Sequence, residues 1–218
     1  MNDEKDRNQD LSYQDANMVK ESALYYGSKR QGEYTIEDYY ALPDDQRVEL
    51  IDGVFYDMAA PLSVHQLIGG KIYQILSEYI GRKKGMCIAF DSAMDVQLDC
   101  DDRTMVQPDV FVICDRDKIT RRGIFGAPDF VIEVLSKSTK KKDMFIKLSK
   151  YKNAGVREYW MVDPEKKIVL VYDFQNDDDV QLYGFEATIP VSIFNGDCQI
   201  DFKEVYDYVK FLYDSDRV

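Results

Sequence analysis

A single histidine, His65, serves all 218 residues, which rules out a zinc site built on two histidines. The four cysteines, Cys87, Cys100, Cys114 and Cys198, lack CxxC spacing and do not replace the missing ligands. No GxSxG elbow accompanies His65, so a Ser-His-Asp hydrolase has no support. The glycine patterns of dinucleotide and P-loop phosphate sites are absent as well. So is any apolar run of about 18 residues, and the N-terminus carries no apolar signal segment. The expectation is a cytoplasmic protein with no membrane association, whose reduced thiols act as small buried hydrophobes. Basic residues are short too. Lys and Arg number 28 against 40 Asp and Glu, a net charge of −12 that opposes binding to a polyanion.

What remains is acid chemistry. Between Pro108 and Tyr151 the chain reads PDVFVI, then GAPDFVIEVLS, then KKKDMFIKLSKY. Asp109 stands at the start of one apolar strand and Glu133 inside another. Glu133 lies in an unbroken apolar run, Phe-Val-Ile-Glu-Val-Leu, which signals burial on both faces. A lone ionised carboxylate there is costly unless paired or coordinated. Asp129 also precedes Glu133, but four residues along one strand separate carboxylates by about 13 Å, too far to share a small cation. Neighbouring strands are only ~5 Å apart, so Asp109 with Glu133 is the better pair. Two carboxylates on rigid strands suit Mg2+, or Mn2+ in its place, because a hard cation takes oxygen ligands and keeps part of its water.

From Ser136 to Lys152 seven lysines face one acid, Asp143. This local basic stretch on an acidic body can engage one phosphate track, so DNA is the expected partner. At helical spacing Met144, Leu148 and Tyr151 define a buried stripe with Lys147 at its edge, while Lys150 points away. An inward-leaning Lys147 would bring an ammonium to a phosphate.

Residues 1–31 are polar and read as a flexible tail, with a short helix around Ala16–Tyr26. Residues 32–218 read as one globular domain. Thr35-Ile-Glu-Asp38 resembles a capping box opening a helix that ends at Pro43. Arg47–Tyr56 reads as a hairpin about Asp52-Gly53. Ser63 is the expected cap of a helix closed by Gly81 and Gly85. Strands are expected near 87–90, 93–98, 106–114, 130–135, 158–162, 168–174 and 181–185, with helices over 141–154 and 202–213. Such interleaving predicts an α/β (α+β) fold around one sheet.

Six blocks in order, VELIDG (48–53), PLSVHQ (61–66), QPDVFV (107–112), GAPDFVIEVLSKST (126–139), KLSKY (147–151) and GVREYWMVDP (155–164), resemble the Uma-type restriction endonuclease family of the PD-(D/E)XK nuclease superfamily. The resemblance implies a restriction-endonuclease-like core with a mixed β-sheet flanked by helices. It also implies Mg2+-dependent hydrolysis of DNA phosphodiester bonds, often by a homodimer. Carried over by position, Asp109 and Glu133 are metal ligands and Glu49 is an additional acid near the metal. The lysine expected two residues after the second acid is Leu135 here; the Uma-type pattern takes it from the following helix, which points to Lys147. His65 matches a family position as well, though a core or surface histidine is the plainer reading. The alternative from another class is a catalytically inactive nuclease fold that binds nucleic acid or protein.

Overall fold

Asp52 and Gly53 both take left-handed backbone angles, φ 51° and 77°, the pair of conformations that a tight two-residue hairpin requires. They join β1 (Val48–Ile51) to β2 (Val54–Asp57) in antiparallel register, with Ile51 opposite Val54. Gly53 is needed there for a second reason: a Cβ would lie 2.6 Å from the Gly32 carbonyl oxygen.

The structure is a computed structural model that describes residues 29–43, 45–92, 94–98, 101–136, 142–176 and 180–214. The expected tail helix at 16–26 lies outside the described residues, as do Cys100, Lys137, Lys140 and Lys141.

The chain divides into two compact units. Among the described residues, the first takes in those from Lys29 to Met58 and Asp101–Met105. Its helix α1 (Ile36–Tyr40) starts at the expected capping box: the Thr35 side chain accepts from the Asp38 N–H, and Asp38 accepts from the Thr35 N–H at 2.8 Å. Leu50 and Met105 exchange backbone hydrogen bonds of 2.8 and 2.7 Å, which recruits the distant segment to the hairpin. Tyr34, Ile36, Val48, Leu50, Phe55 and Met105 form the core of this unit. Ordered contacts reach back before Gly32: the Phe55 N–H donates to the Gln31 side chain at 2.9 Å.

The second unit, Ala59–Cys100 with Val106–Val218, carries the main sheet. Its elements are α2 (Ser63–Lys83), β3 (Ile88–Asp91), β4 (Val96–Gln97), β5 (Val110–Ile113), β6 (Ile124–Phe125), β7 (Phe130–Val134), a π-helix (Lys142–Lys147) running into α3 (Leu148–Ala154), β8 (Glu158–Asp163), β9 (Ile168–Asp173), β10 (Val180–Gly184), β11 (Thr188–Pro190), β12 (Gln199–Asp201) and α4 (Phe202–Val209). Six strands form a mixed sheet in the order β10-β9-β8-β7-β5-β3, with helices packed on it. Only β7–β8 is parallel within that sheet. Short pairs β4–β6 and β11–β12 stand apart from it. A parallel pair needs a crossover of about a dozen residues or more. The segment between β7 and β8 supplies it, which is why the basic helix packs beside the strand that carries Glu133.

Strand alternation sorts the core. Val110, Val112, Phe130, Ile132 and Val134 join Ile68, Ile72 and Leu76 of α2 and Phe202, Val205 and Val209 of α4 in one cluster. Val131 and Glu133 alternate to the other face, where Tyr151 of α3 packs. There the rings of Tyr151 and Tyr159 lie 5.0 Å apart.

Three local expectations change. Ser63 is the first helical residue of α2 and not its cap; Leu62 holds the cap position with no side-chain bond. The helix also runs through Gly81 and ends at Lys84, in a left-handed conformation. The thiols are not all reduced: β3 pairs with β5 so that Ile88 faces Ile113, and one residue beyond, Cys87 and Cys114 are joined by a disulfide. Cross-strand register made this pair, so the lack of CxxC spacing did not bear on it. Cys198 is free and buried, and burial pushes its thiol up to about 11, an inert group at neutral pH. No described helix is long and apolar enough to cross a membrane.

Candidate active site

Antiparallel pairing of β5 with β7 sets Val110 opposite Ile132. Continuing that register by one residue brings Asp109 opposite Glu133. The Val134 N–H, next in chain after Glu133, donates to Asp109 Oδ2 at 2.7 Å. His65, in the first turn of α2, brings Nε2 to 3.1 Å from the same oxygen. Asp109 is thus fixed from a strand and from a helix. Beside it His65, Gln66, Gly69, Gly70 and Asp91 line a small cleft. Burial opposes charge on His65, but the hydrogen bond and charge of Asp109, the charge of Asp143 and a bond to the Val134 backbone outweigh it, and its pKa is raised.

Glu133 is held from the crossover helix. Its Oε1 accepts from Lys147 Nζ and from the Tyr151 hydroxyl, both at 2.6 Å. Lys147 also lies 3.7 Å from Asp143 Oδ1. Asp143, Glu133 and Lys147 are all buried. Tyr159 closes the group by donating to the Asp143 carbonyl at 3.3 Å. Burial first, then the charges of Glu133 and Asp143, push its phenol well above the ordinary range.

The structure therefore gathers Asp109, Glu133 and Lys147 in the second unit. Glu49 belongs to β1 of the first unit, where it is buried. Asp129 sits at the far end of β7, bonded to the Cys114 N–H at 2.7 Å and to Arg157 at 3.2 Å. The buried stripe of the basic helix differs from expectation. It is Asp143, Lys147 and Tyr151, with Met144 and Leu148 only partly covered. The cause is the π-helical turn over 142–147, whose phase differs from α-helical spacing. Asp143 and Tyr151 were missed as site residues, although each stands four positions from Lys147 in the sequence. His65 contacts the site directly instead of resting in core or surface.

Among the described residues no group of three or more His, Cys, Asp or Glu side chains could enclose an ion. Two carboxylates at one level on adjacent strands do fit Mg2+, which retains waters and needs few protein oxygens when phosphate supplies the rest.

A protein-family model matches residues 36–202, with the description "Putative restriction endonuclease", and the family is Uma2. The chain belongs to the Uma2 family. Family membership points to a restriction-type nuclease, a class that generally uses divalent metal ions. A crystal structure titled as that of a putative nuclease of the DUF820 family from Anabaena variabilis superposes with a TM-score of 0.66 at 20% identity, covering 80% of this chain and 98% of that one. At that identity it supports the nuclease fold. No curated protein matches the chain. In Uma2 terms, the matched span includes Glu49, Asp109, Glu133 and Lys147.

Proposed function

We propose that the protein is an endonuclease that hydrolyses DNA phosphodiester bonds with Mg2+, or Mn2+, held by Asp109 and Glu133. The observation that carries this reading is the bond from the Val134 N–H to Asp109, which sets Asp109 beside Glu133 at the end of the β5–β7 register, with the buried Lys147 2.6 Å from Glu133. Bound there, the ion would neutralise phosphate charge and acidify the attacking water. The Val134 N–H and His65 orient Asp109, and Tyr151 orients Glu133. Lys147 supplies the positive charge that stabilises the phosphate as negative charge builds on it. Glu49 remains the additional acid suggested by the family resemblance, and a homodimer the assembly it implies.

A second reading, a nuclease fold that binds without cleaving, draws on the net charge of −12 and on Leu135 in the usual lysine position. Plasmid and single-stranded DNA incubated with the full chain across a Mg2+ and Mn2+ titration separate the two. Metal-dependent nicking supports the enzyme. Binding without any cleavage in either metal supports the module.

A further inference from the structure

Phe145 is the most exposed large apolar side chain of the described residues, with 71% of its surface in water. It stands midway between Asp143 and Lys147 on the π-helical turn. Both neighbours are buried, so the turn presents charge to the site and an aromatic ring to solvent on its outer side. Ile146 beside it is also exposed. Leaving a phenylalanine in water forgoes the favourable burial that such a ring normally gains. No ring contact of Phe145 occurs among the described residues to compensate for this exposure. π-Helical turns are rare and cluster at functional sites.

We infer that Phe145 is a stacking platform for an unpaired base of the strand whose phosphate lies at Lys147 and Glu133, so that the substrate is single-stranded or locally unpaired DNA. The inference rests on the proposed nuclease reading and specifies its substrate. Three features of the helix favour this occupant. Lys142, Lys150 and Lys152 flank the ring in sequence on the same helical segment, giving the charge an anionic strand requires. The ring is continuous in chain with the lysine that faces the candidate site. A helix is about 10–12 Å across. Around half its circumference, about 16–19 Å, a strand at ~3.4 Å per stacked nucleotide passes in about five nucleotides. The stacked base would then lie within a few nucleotides of the scissile bond. A paired base inside duplex DNA has no free face to offer, whereas every unpaired base has one.

The test compares wild type, Phe145→Ala and Phe145→Trp as full chains, in Ca2+, with single-stranded and duplex oligonucleotides carrying 2-aminopurine. The ring is exposed, so melting temperatures should match and the comparison should be free of folding effects. Expected is a loss of affinity in Phe145→Ala at least about tenfold larger for single strands than for duplex, on the scale of one base–aromatic stack. Quenching of 2-aminopurine should be lost in Phe145→Ala and restored in Phe145→Trp. Equal losses on both substrates, or none, overturn the stacking role. A Phe145→Ala chain that turns from dimer to monomer in sedimentation also overturns it, by assigning the ring to a second copy. Mg2+-dependent cleavage by the wild type is measured in parallel: if cleavage persists while stacking fails, only this inference falls. If the wild type neither binds nor cuts any strand, the nuclease reading falls with it.

Discussion

Lys147 and Glu133 form a buried ion pair, Nζ to Oε1 2.6 Å, between the crossover helix and the central sheet. In a low-dielectric setting each charge depends on the other, because the cost of stranding one exceeds what the pair gains. The Tyr151 hydroxyl on the same oxygen offsets part of that cost, but it is not a charge.

Lys147→Met is therefore expected to destabilise the protein by about 3 kcal/mol, the scale for a buried pair left with one member. An ordinary volume-conserving swap in a core costs less than ~1.5 kcal/mol. Adding Glu133→Gln should recover part of the loss, giving a double-mutant cycle far from additive. Lys150→Met, on the partly exposed side of the helix, should change stability by no more than ~0.5 kcal/mol. Urea denaturation measures all four variants, and additivity of the first two would dissolve the pair.

Asp109→Asn should abolish metal binding while leaving the fold intact, because the amide keeps an oxygen for the Val134 N–H but loses the charge. Wild type should gain thermal stability in millimolar Mg2+, as any ligand selective for the folded state requires. Calorimetry and melting in Mg2+ check this. Equal binding by the variant would move the metal elsewhere.

Glu158 gives the protein a pH-dependent weakness. It is fully buried on β8, accepts from Trp160 Nε1 at 2.8 Å and from the Ile193 N–H at 3.0 Å. Burial pushes its carboxyl from 4.5 to about 7 against the pull of those donors. The folded state therefore holds this proton more tightly than the unfolded chain. Its contribution to stability is fully present below about pH 4.5 and lost as pH rises through about 7. The loss is on the order of 3 kcal/mol at 1.36 kcal/mol per pKa unit. Stability measured from pH 4.5 to 8 should fall less steeply in Glu158→Gln than in wild type.

How much of this was legible in the sequence depends on the range of the interaction. The hairpin at Asp52-Gly53 and the capping box at Thr35–Asp38 are local, and they appear where their residues stand. Asp109 and Glu133 were also readable, because a carboxylate inside or beside an apolar strand is conspicuous. The Cys87–Cys114 bond was not, since it follows from strand register between segments 27 residues apart. Nor was the return of Asp101–Met105 to the first unit, which depends on Met105 bonding Leu50. Asp143 escaped because 100° helical spacing misplaces residues on a π-helical turn.

Residues before Lys29 should be dispensable for folding, since no block of the family resemblance lies there. A chain beginning at Lys29 should melt within a few degrees of the full chain. One beginning at Gly32 also loses the Lys29–Asp38 ion pair, the bond of the Tyr34 hydroxyl to the Lys29 carbonyl and the Gln31 bond to Phe55, so it should be less stable by about 1 kcal/mol or more. Thermal melting of both truncations decides it. Equal melting would mean that the contacts of Lys29 and Gln31 contribute nothing.

The most direct test of a metal-dependent nuclease centre is the plasmid-nicking rate of wild type and Glu133→Gln, assayed in parallel over a Mg2+ titration with a chelator control. Cleavage should rise with Mg2+, stop with chelator and fall by roughly two to three orders of magnitude in Glu133→Gln, the scale of one lost transition-state contact. Cleavage by Glu133→Gln at the wild-type rate, or by wild type in excess chelator, would contradict such a centre.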